Sequence, residues 1–518
     1  MKEFQLIEAT VGNILGKRGR MKCVYLPMRF LNERRVVIAL ILVAILLRCM
    51  GLSRTPWIDE ISSISVASGS PFLESLRHYD HPPLYFVTLR EWMLVSTKIE
   101  WLRALSILFS VGTIVAMYGW LSCFSSSAGL LGALIFGFLP AALSFSQEIR
   151  DYPLLMFAYS VSLLCAEKLL RNPKSARTWV CLSLSLTVCA STHVLGILAT
   201  VTCVLYMFAR NCARPILLSG RLGLSLLPPL GVWAFFTFCF LTEVSKREGA
   251  WFMPQPSVRL VTSVIFELLG IPSIVWPIAA LRLSSPALAL IIALVAFALF
   301  VLFVYHLTEG SLRAAVPALV ATLGYLVPVL AYSLVVTPIF VSRTALPSIV
   351  PLCGGLACFI DSIESSRARR IVIGILMVFC LSSGVRFYQK EAFHPREPWS
   401  EISRIVAESR DPIFVSPSWS VDTVKYFVAD ESRTILALDT MSKEAVNALM
   451  SKSAGYLIMY TPAAMSAEAQ AVREGVIASF FAAKTQTAIF SRGPVSVRRI
   501  QGPSGATSTI SPSGLNPP

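Results

Sequence analysis

Two carboxylates stand side by side in Arg54-Thr-Pro-Trp-Ile-Asp-Glu-Ile-Ser, at Asp59 and Glu60. Shortly afterwards His78-Tyr-Asp-His-Pro-Pro-Leu-Tyr-Phe brings two histidines to a Pro-Pro turn. A positioned carboxylate can take the proton of an attacking hydroxyl, and a histidine such as His81 can contact a polar substrate. Two later groups carry fixed positive charge: Gln147-Glu-Ile-Arg-Asp-Tyr, with Arg150 and Tyr152, and Arg343-Thr-Ala-Leu-Pro. Each group also has a plain reading. An acidic pair after an apolar run is commonly a solvated loop. Arg150 and Arg343 could snorkel at a membrane interface. His81 could simply start a turn, and His193 reads as a satisfied polar group at a helix turn. His306 and His394 read as structural, and Lys246 and Arg247 are weaker alternates to the two arginines.

These residues must be held by a chain of 518 residues that is 55% hydrophobic and 14% charged, with a mean hydropathy of +0.67. A soluble domain carries about 25% charged residues, so the chain is an integral membrane protein. The net charge of +15 does not indicate nucleic acid, because much of it is crowded before the first apolar run. Residues 1–35 form a basic segment expected on the cytoplasmic side, with some attraction to anionic lipid heads. The 12 cysteines show no metal-ligand spacing and no disulfide framework. No Walker loop, HExxH or GxSxG element is present, which leaves ATPase, zincin and hydrolase readings without support.

Apolar runs of spanning length recur across 36–387. The run 36–47 has no small-x-small cleavage site after it and reads as a retained anchor, which puts the loop 53–100 outside. Further spans are expected near 101–122, 128–145, 153–170, 178–192, 194–210, 222–241, 285–305, 314–335, 345–361 and 370–387. Basic loops at 171–177, 210–214 and 361–370 then fall on one side. The total is about eleven spans, roughly 11–13 if ambiguous segments count. Residues 258–283, broken by Pro272 and Pro277, read as an interfacial helix; 81–96 is either a juxtamembrane helix or a span. Residues 388–500 alternate helix and strand and are expected to form a small extracytoplasmic α/β domain with a largely parallel sheet. The tail 501–518, rich in Ser, Pro and Gly, reads as disordered.

Trp57-Ile-Asp-Glu, His81-Pro-Pro-Leu-Tyr-Phe and Gln147-Glu-Ile-Arg-Asp-Tyr in a multi-span frame resemble the GT-C membrane glycosyltransferases. The likeness is to glycosyltransferase family 39 and its relatives, the protein O-mannosyltransferases and aminoarabinose transferases. It covers about 30–430 and extends to Arg343-Thr-Ala-Leu-Pro and Pro398-Trp-Ser-Glu. Thr344 stands where relatives often have an aromatic residue, and Trp399-Ser400 where a more charged sequence is common.

The resemblance implies a polytopic α-helical fold and transfer of a sugar from a polyprenyl-phosphate donor to a protein, lipid or glycan acceptor. This would occur on the outer face of the plasma (inner) membrane, among membrane lipids. The expected roles are Asp59 as general base in an inverting displacement, and Glu60 as its orienting partner. His81 and Tyr152 would contact substrate. Arg150 and Arg343 would hold the leaving phosphate with forked hydrogen bonds. The carboxylate and the two guanidiniums should face each other across a gap sized for one sugar phosphoester. No cofactor is required by the sequence; a divalent cation held by two carboxylates stays open, as in some GT-C relatives. A flippase of lipid-linked glycans would need functional charges near mid-span and an internal repeat; the chain shows few such charges and no clear repeat. A non-catalytic scaffold is the remaining alternative.

Overall fold

The computed structural model describes residues 35–77, 81–210, 220–244, 253, 255–269, 315–389, 396–430, 432–450, 454–461, 467–481 and 485–501. The expected 285–305 span, the basic segment before residue 35, His78, Lys246, Arg247, His306, His394 and the tail after 501 lie outside these residues.

Most of the chain is a helical bundle. Among the described residues, Ile99–Leu121, Tyr152–Arg171, Gly220–Cys239, Val316–Val335 and Ser342–Asp361 are long and apolar enough to cross a membrane. Ser126–Phe138 and Pro140–Ser146 meet at 61° and add a sixth span if counted together. Pro140 breaks this pair, since its ring cannot continue the preceding helix. Helices 35–49, Ala176–Thr192 and Ile197–Arg210 are shorter and join the same bundle. By length and composition the described residues thus supply up to six spans of the eleven or so expected. Residues 84–93 form a ten-residue helix, too short to span by itself.

Helix Ile99–Leu121 packs along Tyr152–Arg171, which in turn packs on Ala176–Thr192. Small residues allow the close approaches: a Cβ on Gly354 would meet the Trp120 ring at 2.5 Å. Some polar groups inside the bundle find partners within it, which an apolar surround favours. Arg48 is fully buried and donates to Ser110 Oγ at 2.9 Å and to the Gly137 carbonyl at 3.0 Å.

The segment 53–100 is mostly helical, with Ile58–Ser68, Phe72–Arg77 and Leu84–Met93 in succession. Its end is closed by Trp92 and Trp101, whose rings stack at 4.4 Å while each indole N–H donates to the other's carbonyl.

The C-terminal domain has strands β1 (Ile413–Ser416), β2 (Ile435–Ala437), β3 (Gly455–Tyr460), β4 (Thr485–Arg492) and β5 (Val495–Gln501) in the order β2-β1-β3-β5-β4. The first three pair in parallel, but β5 runs antiparallel to β3 and β4. The sheet is therefore mixed rather than largely parallel. The difference is the final hairpin, turned by Gly493 at φ 59°, a left-handed conformation that suits glycine. Helix Trp399–Ala407 and the inner faces of β1 and β3 bury Trp399, Ile402, Val415 and Ile458 in one cluster with Ile58. That cluster binds the domain to the start of the Ile58–Ser68 helix.

Candidate active site

Helix Ile58–Ser68 begins with both carboxylates in its first turn, where unpaired N–H groups and the helix dipole favour negative charge. The two then point to different environments. Glu60 is fully buried against Arg103, with Nε to Oε1 at 2.8 Å and Nη2 to Oε2 at 2.6 Å. Its Oε1 also accepts the Ile149 N–H at 3.0 Å, and Oε2 the Trp57 N–H at 3.3 Å. Burial pushes the Glu60 carboxyl up, but Arg103, Arg54 and the Ile149 amide together hold it below the ordinary 4.5. Arg103 reaches on to the Leu52 and Arg54 carbonyls at 2.5 and 2.8 Å, so one guanidinium ties this helix to the segment before it.

Asp59 faces the other way and keeps 24% of its side chain exposed. Its Oδ2 meets Arg343 Nη1 at 2.5 Å, and its backbone carbonyl receives Arg150 Nη1 at 3.3 Å. Arg150 also approaches Ser63 Oγ at 3.4 Å and lies over the Tyr152 ring at 5.8 Å. Arg343 comes from the first turn of the Ser342–Asp361 segment, so residues 284 positions apart in the chain meet here. Asp59, Arg150, Tyr152 and Arg343 are therefore one constellation. The expected gap between carboxylate and guanidiniums is replaced, for Arg343, by direct contact.

His81 also belongs to this neighbourhood. Its Nδ1 lies 2.9 Å from Asp151 Oδ2, and its ring meets that of His193 edge to face at 4.7 Å. His193 in turn packs against Tyr152 at 5.5 Å. It stands between helices because the chain turns there: its Nδ1 accepts the Leu195 N–H at 2.9 Å. The following Gly196 sits so near the Cys189 carbonyl that a Cβ would lie 1.9 Å from its oxygen. Burial, reinforced by His81, pushes the His193 imidazole down to about 3, so it is neutral at physiological pH. Burial raises the Asp151 carboxyl, yet His81, His193 and Arg150 hold it well below the usual range.

The adjacent carboxylates, left open as a place for a divalent cation, are both engaged by arginines. Both Glu60 oxygens are taken by Arg103, and Asp59 faces Arg343. Among the described residues, only His81, Asp151 and His193 bring three ligand atoms close enough for a metal.

Sequence reasoning did not single out Arg103, Asp151 or Glu397. A lone cation in the apolar run 99–121 was the available signal for Arg103. Glu397 lies just before the Pro398-Trp-Ser-Glu stretch and is reached by three donors. The Ile58 N–H lies at 3.0 Å, Trp399 Nε1 at 2.5 Å and Tyr460 OH at 2.7 Å. Beside it Arg396 pairs with Glu148 at 2.7 Å and covers the Trp57 ring at 5.0 Å. The C-terminal domain is thus clamped onto the amide that starts the carboxylate helix.

No protein-family model and no curated protein matches the sequence. The structure is similar to ArnT from Cupriavidus metallidurans in the apo state, with TM-score 0.54 and 15% identity, over 90% of this chain and 99% of that one. ArnT bound to undecaprenyl phosphate gives TM-score 0.54 at 12% identity with the same coverage. The archaeal oligosaccharyltransferase AglB from Archaeoglobus fulgidus, in complex with an inhibitory peptide and a dolichol-phosphate, gives TM-score 0.47 and 11% identity, over 82% of this chain and 69% of that one. With its apolar helical bundle and small sheet domain matched nearly end to end by ArnT, this multi-pass membrane chain has the GT-C glycosyltransferase fold.

Proposed function

We propose that the chain is a membrane glycosyltransferase that moves a sugar from a polyprenyl-phosphate donor to an acceptor on the extracytoplasmic face, with inversion. The observation that carries this reading is the Asp59–Arg343 pair. A partly exposed carboxylate pairs with the Arg343 guanidinium, and a second guanidinium, Arg150, donates to the backbone carbonyl of the same residue. ArnT, whose fold the chain shares, has been solved with undecaprenyl phosphate bound, which favours a lipid-phosphate donor.

In the proposed reaction the donor phosphate draws Arg343 away from Asp59 and rests between Arg343 and Arg150. Asp59, released from its ion pair, accepts the proton of the acceptor hydroxyl. That oxygen attacks the anomeric carbon from the face opposite the phosphate, and the carbon–oxygen bond to phosphate breaks. The lipid phosphate leaves as an anion against the two guanidiniums, so fixed positive charge substitutes for a general acid. Glu60 does no proton transfer; its pair with Arg103 orients the turn that carries Asp59. His81 and Tyr152, which neighbour the Asp59–Arg343 pair, are assigned as substrate contacts.

The test is a transfer assay with purified protein in proteoliposomes. Polyprenyl-phosphate sugars labelled in the sugar are supplied with envelope material from cells lacking the protein. Time-dependent movement of label from the lipid fraction to envelope glycan, seen by mass spectrometry, is expected. No transfer from any lipid-phosphate sugar, with transfer from a soluble sugar nucleotide instead, would overturn the reading.

A further inference from the structure

Next to the Asp59–Arg343 pair lies a cluster with a different chemistry. His81, Asp151 and His193 each offer a ligand atom, and these atoms all lie within 4.8 Å of one another. They come from three separate places: the turn before Pro82-Pro83, the start of helix Tyr152–Arg171, and the break after helix Ala176–Thr192. Local sequence alone does not force them together. Asp151 is only 2% exposed, and its second oxygen, Oδ1, is buried with no hydrogen-bond partner. A buried carboxylate oxygen left this way calls for a cation or donor.

We propose that His81, Asp151 and His193 form a binding site for one divalent cation of the zinc type. Two imidazoles and one carboxylate suit a borderline ion, whereas calcium and magnesium prefer all-oxygen sets. Three protein ligands leave at least one position open. Binding exchanges existing contacts for metal bonds: the His81–Asp151 bond opens, and His193 gives up the Leu195 N–H. Any proton on His81 leaves as the metal enters. The nearby Arg150 and Arg343 oppose a cation, so affinity should be weaker than at a closed four-ligand site. The ion would bind the 53–100 segment to two points of the bundle. This site stands or falls independently of whether Asp59 carries the transfer.

The full chain, freed of any histidine tag and stripped with chelator in detergent, is titrated with Co2+ and then Zn2+. One Co2+ per chain, with a visible absorption band that Zn2+ abolishes, is expected. His193→Gln and Asp151→Asn should each weaken binding at least tenfold, while Glu401→Gln, far from the cluster, should not. Wild-type protein supplies a second reading: Zn2+ should protect His81 and His193 from diethyl pyrocarbonate, measured peptide by peptide. No saturable binding, undiminished binding in both cluster variants that still elute as monodisperse protein, or equal labelling with and without Zn2+ would overturn the proposal.

Discussion

Asp59 and Glu60 are neighbours in sequence and opposites in environment. Glu60 is enclosed with Arg103 at zero exposure, and Asp59 lies partly open beside Arg343. Adjacent residues on a helix point about 100° apart, which is enough to send one carboxylate inward and leave the other partly exposed beside Arg343. The sequence could show that a carboxylate pair existed, but not which member would be free. Arg343 is the residue whose role is easiest to isolate. Charge-assisted hydrogen bonds contribute roughly 1.5–3 kcal/mol, or about tenfold to over a hundredfold in binding. Arg343→Ala should raise the KM for the lipid donor by at least tenfold, in steady-state kinetics with the donor varied. An unchanged KM would remove Arg343 from phosphate binding. Arg343→Lys should recover only part of the loss, because an ammonium cannot offer the forked pair.

At the scale of elements, the Ile58–Ser68 helix is held by an ion pair from the bundle and by a hydrogen bond to a carboxylate of the C-terminal domain. Arg103 grips Glu60 from helix Ile99–Leu121, and Glu397 receives the Ile58 amide from the domain side. Removing one partner of a buried pair costs about 3–5 kcal/mol, since the other charge is left buried. Glu60→Gln should therefore lower the thermal unfolding midpoint in detergent markedly, whereas Glu401→Gln on the surface should not. Because the folded carboxyl sits below its ordinary 4.5, the Glu60 contribution is complete above that pH. It is lost as pH falls through the lower folded value. Wild-type stability should thus decline below pH 4.5 in excess of the Glu60→Gln protein, measured by unfolding across a pH series. Parallel pH curves for the two proteins would refute this. The helices themselves were legible from apolar run length, and the expected 101–122, 153–170 and 314–335 spans fall almost on Ile99–Leu121, Tyr152–Arg171 and Val316–Val335. The β4–β5 hairpin was not, because its outer strand alternates little and is largely exposed.

Across the whole molecule, the Asp59 constellation joins residues from three separate stretches of the chain, and the sheet domain packs on the first of them. Glu397 and the Ile58 cluster bind that domain to the carboxylate helix. Such long-range meetings, Asp59 with Arg343 and Ile58 with Glu397, lie hundreds of residues apart and leave no periodic trace in the chain. The resemblance of the motifs connected Asp59 with Arg343 in advance, and nothing in the sequence pointed to Ile58 with Glu397. Sidedness is a claim about the whole chain as well. Reporter fusions after Arg177 and after Pro398 should report opposite faces, cytoplasmic for the first and extracytoplasmic for the second. Both reporting the same face would break the topology. The most direct check on the central claim is the turnover of Asp59→Asn in proteoliposomes with labelled polyprenyl-phosphate sugar, alongside its donor affinity. With Asp59 as the base, sugar transfer should fall at least a hundredfold, the scale of a missing general base, with the donor still bound. Transfer at the wild-type rate by correctly inserted Asp59→Asn protein would contradict that role.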